Sequence, residues 1–260
     1  MKNLIINNLY IEVTRNCTMN CAHCLRGEKE KINLNINDID DLFSNNNINI
    51  IKIKKLTITG GEPTLNPQVI LEIIKKIISK QIDIEHFIMV INGSIYNQSL
   101  IDGLNTFYKY YREKYHYYPN FYLICSQDQY HRSPKEETLN KYHKLPYFWS
   151  SRVTLSKDQI LNVGRAYDNN LGNEESYKEI YFYFNLYKEN NIPNIFIESN
   201  NLIKLDELYL SSKGLYSFHI IDVPFKQIDE LCIYNINEIT NIIRSNTIST
   251  EEILQKRKHQ

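Results

Sequence analysis

The sequence carries no surplus of charge: Lys+Arg and Asp+Glu number 30 each, and the formal net charge is zero. A nucleic-acid footprint or a membrane-surface footprint needs a basic excess that is missing here. No apolar run approaches the ~18 residues of a membrane span. The N-terminal Met1-Lys-Asn-Leu-Ile-Ile-Asn-Asn lacks the apolar core of a secretory signal. A cytoplasmic protein is therefore expected. Cysteine is scarce, five in all, and three of them crowd into residues 17–24. An odd, clustered set argues against a disulfide framework and for metal or redox chemistry. Cys125 and Cys232 stand alone and read as small buried apolar residues. Basic residues run together only at Lys52–Lys55 and Lys256–His259, which read as solvated ends of elements. No internal repeat or Gly/Ser linker marks a domain boundary.

What the chain does have is length enough, 260 residues, for one α/β barrel or two small domains. Short β-branched apolar runs alternate with longer helical segments, the pattern of βα units and a parallel sheet. Strands are expected near Leu9–Thr14, Leu56–Thr59, Phe87–Ile91, Phe121–Cys125, Gln159–Val163 and Asn194–Glu198. Helices are expected near Ile36–Ser44 (capped by Asn35 or Asn37), Pro67–Lys80, Ser99–Tyr115, Lys135–Tyr142 (with Ser133 as cap) and Glu174–Asn190. Tyr147–Ser156 fits neither period. Tyr108, Tyr111, Tyr115 and Tyr118 recur at helical spacing and read as packing residues. After about residue 200 the pattern breaks. Leu205–Ile221 reads as a β-hairpin around Ser211-Ser-Lys-Gly214, and helices near Ile228–Cys232, Ile236–Ser245 and Thr250–Lys258 close the chain.

Ligands of parallel α/β sheets bind at the carboxyl ends of the strands. The first expected strand runs into Cys17-x3-Cys21-x2-Cys24, three thiols with no fourth nearby. Such a set cannot close a four-cysteine cage and leaves a position open for something else. Gly60-Gly61-Glu62-Pro63 ends the second strand, Asn92-Gly93 the third and Ser126-Gln-Asp128 the fourth. Gly164-Arg165 ends the fifth and Glu198–Asn201 the sixth. Polar or backbone-permissive residues thus fall on one rim, strand after strand.

The cysteine motif, joined to Gly60-Gly61-Glu62-Pro63 36 residues beyond Cys24 and to Asn92-Gly93, resembles the radical S-adenosylmethionine (SAM) enzymes over about residues 8–200. The resemblance implies a partial (β/α)6 TIM-like barrel as residues 1–200, with residues 201–260 a C-terminal hairpin and helical cap packed on it. It implies a [4Fe-4S] cluster held by Cys17, Cys21 and Cys24. The amino and carboxylate groups of SAM would take its remaining iron. An electron from the cluster would cleave SAM to a 5′-deoxyadenosyl radical, which abstracts a hydrogen atom from substrate. Three thiolates on a doubly positive core leave one net negative charge, which draws a cationic sulfonium.

By the same resemblance His23 packs over the cluster and presents backbone to the adenine. Gly60 and Gly61 allow close backbone approach, and Glu62 helps hold the methionine amino group. Asn92, Ser126 and Asp128 contact SAM or face the substrate. Arg165, in Val163-Gly-Arg-Ala, pairs with the SAM carboxylate or is a helix-start arginine paired to a nearby acid. Arg15 and Arg26 flank the loop and either offset its charge or lie in solvent. Tyr130-His131-Arg132 lines the substrate side or is a polar loop. The hairpin holds no cysteine, so one cluster and no auxiliary-cluster domain is expected. The partners implied are a small-molecule or peptide substrate and a flavodoxin- or ferredoxin-like electron donor, and the cluster would be oxygen-sensitive. Two other readings of the same residues are an activase that installs a glycyl radical on a partner enzyme, and a non-catalytic iron–sulfur or zinc sensor.

Overall fold

The structure is a computed structural model that describes residues 2–44, 48–115, 120–176, 178, 195–199, 202–216, 224–228 and 247–248. Five strands run in chain order: β1 (Lys2–Thr14), β2 (Ile48–Gly60), β3 (Asp83–Ile91), β4 (Asn120–Gln127) and β5 (Phe148–Arg152). Further along are β6 (Ile195–Ser199), β7 (Leu202–Ser211), β8 (Gly214–Tyr216) and β9 (Thr247–Ile248). They form one sheet in the order β5-β4-β3-β2-β1-β7-β6-β9, with β8 paired to β7. Strands β1 to β5 and β7 are mutually parallel, six in all. The α-helices among the described residues are α1 (Ile36–Phe43), α2 (Pro67–Ser79), α3 (Gln98–Tyr115), α4 (Glu136–Tyr142), α5 (Arg165–Asp168) and α6 (Phe225–Ile228). This is the mixed α/β sheet of a partial barrel, as expected.

The helices form where the sequence has an apolar stripe. In α2, Val69, Ile70, Ile73, Ile74 and Ile77 are buried against the sheet, and Pro67 occupies the first turn. In α1, the Asn35 side chain accepts from Asn37 N and the Asp38 side chain from Asn35 N, a capping box. In α3, Leu104, Phe107 and Tyr111 are buried. There the Phe107 ring meets Phe87 of β3 and Phe121 of β4 at centroid distances of 5.3 and 5.5 Å. Truncating such a ring to Ala typically costs about 3–5 kcal/mol. Tyr108, Tyr111 and Tyr115 join this aromatic packing, while Tyr118 lies outside the described residues. Cys125 is buried. Lys52 sits inside β2 rather than at its end and pairs with Asp83 and Glu85 at 3.2 and 2.5 Å.

Four expectations are corrected. The fifth parallel strand is Phe148–Arg152, within the stretch whose period was ambiguous; its pattern is weak because it is a sheet edge with exposed residues. Gln159–Val163 is not a strand: a single 3-10 turn covers Lys157–Gln159, and Leu161 makes only an isolated bridge to Asn173. Helix α4 starts one turn after Ser133, with Lys135 at its N-cap and no side-chain cap bond. The expected strand Asn194–Glu198 exists as β6 but runs antiparallel to β7. A two-residue link between them cannot make the crossover a parallel neighbour needs. The end of β6 therefore lies at the opposite rim from the cysteines, and β7 supplies the sixth parallel strand. The β7–β8 hairpin turns through Ser212-Lys213 as expected. Most of Glu174–Asn190, the three closing helices, Cys232 and Lys256–His259 lie outside the described residues.

Candidate active site

The cysteine loop leaves β1 at Thr14 and is stitched back onto the strand by Arg15 N→Ile32 O (2.9 Å), Leu34 N→Val13 O (3.0 Å) and Thr14 Oγ1→Asn33 Oδ1 (2.6 Å). Inside the loop, Cys24 N donates to Cys21 O and Gly27 N to Cys24 O. Cys17, Cys21 and Cys24 are half-buried free thiols. Burial pushes the Cys17 thiol up, helped by Glu62 and Cys24. Burial, with Cys24 and Cys17 beside it, pushes Cys21 up to about 11. Two thiols that resist ionising because burial and neighbouring sulfurs disfavour their charge, Cys17 and Cys21, gain from a shared cation.

At the end of β2, Gly61 N donates to Thr14 O (2.7 Å) and Glu62 N to Asn16 O (2.8 Å). A Cβ on Gly60 would strike the Thr14 carbonyl, and one on Gly61 the Asn16 carbonyl. The pair is glycine because two backbones touch there. Glu62 is completely buried. Its Oε1 accepts from Thr64 N (3.1 Å) and Thr64 Oγ1 (2.5 Å), and its Oε2 from Asn92 N (2.7 Å). Burial holds its pKa above the usual carboxylate range despite these donors. The Asn92 side chain in turn reaches Thr18 Oγ1 at 3.0 Å and Cys17 Sγ at 3.6 Å, and Thr18 meets Ser94 at 2.7 Å. Glu62 thus acts on the cysteine loop through Asn92. Thr18, Thr64 and Ser94 went unnoticed in the sequence; Thr64, two residues after a strand-end Glu, is the one with a capping signal.

At the end of β4, Asp128 accepts Tyr130 N (2.8 Å) and His131 N (3.1 Å) on Oδ1. Its Oδ2 lies 2.8 Å from His131 Nδ1 and 3.2 Å from His23 Nε2. Burial alone would raise this carboxyl; the Tyr130 N–H and the two imidazoles outweigh it and hold it below the usual range. An ionised carboxylate only accepts, so both facing ring nitrogens carry protons. Burial lowers His23, which is therefore neutral at pH 7, and its Nδ1 is a buried nitrogen without a partner. The His23 ring stacks on Tyr130 at 4.8 Å. The ligating atoms of His23, Asp128 and His131 all lie within 4.8 Å of one another.

Arg165 opens the one-turn α5 instead of ending a strand. Its N–H donates to Cys24 O (3.0 Å), its Nη1 meets Asn20 Oδ1, and its buried Nε has no partner. Its charge acts on Cys21 in the direction of the thiolate. Gly164, at φ +55°, has no room for a Cβ against the Cys24 and Leu25 carbonyls. Cys17, Cys21, Gly60, Gly61, Asn92 and Ser126 line one open cavity of about 400 Å³, with His131 at its side. Glu62 stands behind that wall, and Asp128 is joined to it through His131.

A partial barrel with three cysteines at the carboxyl ends of its parallel strands defines a class of cluster-dependent enzymes. Residues 11–108 match the family model of the Radical SAM superfamily. No curated protein matches the sequence. Among solved structures, a histidine-tagged anSMEcpe with bound AdoMet has a TM-score of 0.50 at 12% identity, covering 93% of this chain and 82% of that one. Native anSMEcpe with bound AdoMet has a TM-score of 0.50 at 12% identity over 92% and 82%. SuiB of Streptococcus suis bound to its precursor peptide SuiA has a TM-score of 0.43 at 12% identity over 91% and 64%. At these identities the likeness is one of fold.

The superfamily's cofactors are a 4Fe-4S cluster and SAM. The residues present fit both. Three half-buried, closely spaced thiols suit a cationic cluster core, and the unpartnered Arg165 Nε and the Gly60-Gly61 backbone lining the cavity suit a small zwitterionic ligand. Among the described residues no helix is long and apolar enough to cross a membrane.

Proposed function

We propose that this chain is a radical SAM enzyme with one cluster, working on a small molecule or a peptide in the cytoplasm. The observation that carries the reading is the convergence of Cys17 and Cys21 with Gly60, Gly61, Asn92 and Ser126 on one cavity at the strand ends. When bound, the cluster supplies the electron that cleaves SAM to a 5′-deoxyadenosyl radical. The chain's own residues do the rest. Cys17, Cys21 and Cys24 hold the cluster. Gly60 and Gly61 present a close-packed backbone to the methionine end, and Glu62 holds Asn92 in register with Cys17. Arg165 offers a guanidinium at Cys21, suited to a carboxylate. Ser126 borders the ribose side, and His23, held by Asp128, keeps a neutral ring beside the third cysteine.

The substrate side is the exposed face of β4 and β5. On β4, Phe121, Leu123 and Cys125 are buried toward α3, so Tyr122, Ile124 and Ser126 point the other way. Trp149, in register with Ile124, shares that face. Tyr122 is 42% and Trp149 55% exposed, an aromatic patch on the face of β4 that also carries Ser126. Such a surface favours an apolar or aromatic group on the substrate. A flavodoxin- or ferredoxin-like protein is the electron donor this chemistry requires.

Anaerobic reconstitution should give about four irons per chain, and SAM with a strong reductant should then yield 5′-deoxyadenosine. Cys21→Ala should abolish both. Stoichiometric zinc without iron, or a full cluster in the Cys21→Ala protein, would overturn the assignment.

A further inference from the structure

The last stretch of the cysteine loop, residues 24–27, belongs to no helix or strand, and its backbone makes the turns Cys24 N→Cys21 O and Gly27 N→Cys24 O. It is gripped from outside, on two sides. On one side Arg165 N donates to Cys24 O, and Gly164 packs against Leu25 O and Gly27 N. From another part of the chain come Pro224 and Phe225, some 200 residues away. Phe225 N donates to Arg26 O at 3.0 Å, and Pro224 borders the space beside Gly27.

Phe225 is buried, at 2% exposure, and does more than donate a backbone bond. Its ring lies 4.7 Å from the Arg15 guanidinium carbon and 5.5 Å from that of Arg26. Arg26 also lies 5.5 Å from the ring of Tyr209 on β7. Arg15 is fully buried, bonded to Glu12 at 2.7 Å and to Glu30 at 3.2 Å. Tyr209 Oη donates to the other oxygen of Glu12 at 2.6 Å. Burial holds that phenol far above its usual pKa, so it stays a donor. The two arginines that bracket the cysteines in sequence are thus each seated on aromatic rings of the C-terminal segment. Strand β7 is joined to β1 over eight residue pairs, from Asn3–Leu202 to Ile11–Leu210, so it stands inside the sheet.

We infer that residues 202–216 and 224–228 are part of the cofactor site, and that Phe225 is a positioning residue which holds the third cysteine through Arg26. The catalytic unit accordingly runs through Phe225 and does not close at residue 200. This rests on the reading that Cys17, Cys21 and Cys24 hold the cluster, but the grip on the loop is measurable without it. Replacing the ring by a branched aliphatic side chain of similar bulk keeps most of the packing and removes the aromatic face offered to both guanidinium groups.

The experiment compares the full-length wild type with Phe225→Leu and Phe225→Tyr. In the metal-free proteins, the reaction rate of each cysteine with a maleimide is read by peptide mass spectrometry. In the reconstituted proteins, iron release to a ferrous chelator is timed under anaerobic conditions. The inference expects Cys24 to react at least fivefold faster in Phe225→Leu, with buried Cys125 unchanged, and iron to be released several-fold faster. Phe225→Tyr should stay within twofold of wild type in both. Equal Cys24 reactivity in Phe225→Leu and wild type would overturn the inference even if the wild type takes up no iron, a result that would separately overturn the cluster reading. If Phe225→Leu proves unfolded, Tyr209→Leu, which strips the other ring from Arg26, decides the matter by the same Cys24 rate.

Discussion

The cysteine loop has two carboxylate anchors, and they work on opposite electrostatic terms. On the β2 side, Glu62 is fully dry, takes three donors from Thr64 and Asn92, and has a raised pKa. On the β4 side, Asp128 takes two backbone N–H groups and faces two imidazoles, and its pKa is lowered. Both reach the cysteines through an intermediary, Asn92 toward Cys17 and His23 next to Cys24. The lesson is that desolvation decides at Glu62, where neutral donors are the only compensation, whereas partial charges of the right sign decide at Asp128. The two flanks therefore respond to protons with opposite sign.

The largest effect should come from breaking the β2 flank at its backbone. Gly61→Ala forces a methyl into the Asn16 carbonyl, with backbone on both sides and no flexible side chain to yield. A loss of about 3 kcal/mol in urea unfolding is expected, together with loss of iron on reconstitution. Next is Glu62→Gln. A Gln has one acceptor oxygen where Glu62 uses two, so a buried N–H of Asn92 or Thr64 loses its partner, at about 1–3 kcal/mol. Third is Asp128→Asn, which keeps an acceptor for Tyr130 and His131 N–H and loses the charge; about 1 kcal/mol at pH 7 is expected.

The pH dependence sharpens the contrast, because the two carboxyls carry opposite signs. Asp128 ionises more readily in the folded chain than in the unfolded one. Its contribution is complete above the ordinary carboxylate range and is lost as pH falls through its lowered folded value. Glu62 is harder to ionise when folded, so stability is gained as pH falls through its raised value. On acidification the stability gap between wild type and Asp128→Asn should therefore close, while that between wild type and Glu62→Gln should widen. Urea midpoints measured from pH 7 downward check both; parallel curves for the two variants would erase the distinction drawn between the flanks.

Much of the first half was legible because its information is local. The stripe Val69–Ile77 makes α2 wherever it is placed, Asn35 caps α1 from the adjacent residue, and the strand-end residues Cys17, Cys21, Gly60, Gly61, Asn92 and Ser126 line one cavity. The second half was harder to read because its elements are set by distant partners. β5 is a short edge strand with a solvent-facing pattern, and Gln159–Val163 has the composition of a strand but no neighbour to pair with. Arg165 was assigned to a strand end on that account, whereas it caps the cysteine loop from a helical turn.

The sequence by itself determined that this is an α/β chain with three thiols and a glycine-rich turn on one rim, because helix stripes, strand runs and loop residues act over a few neighbours. Only the tertiary structure decided that Glu62 faces inward to Asn92, that Asp128 joins His23 to His131, and that β7 enters the sheet beside β1 and brings Tyr209 under Arg26. Those pairings depend on which donors meet a buried acceptor across about 30 to 200 residues of chain, and no local period encodes them.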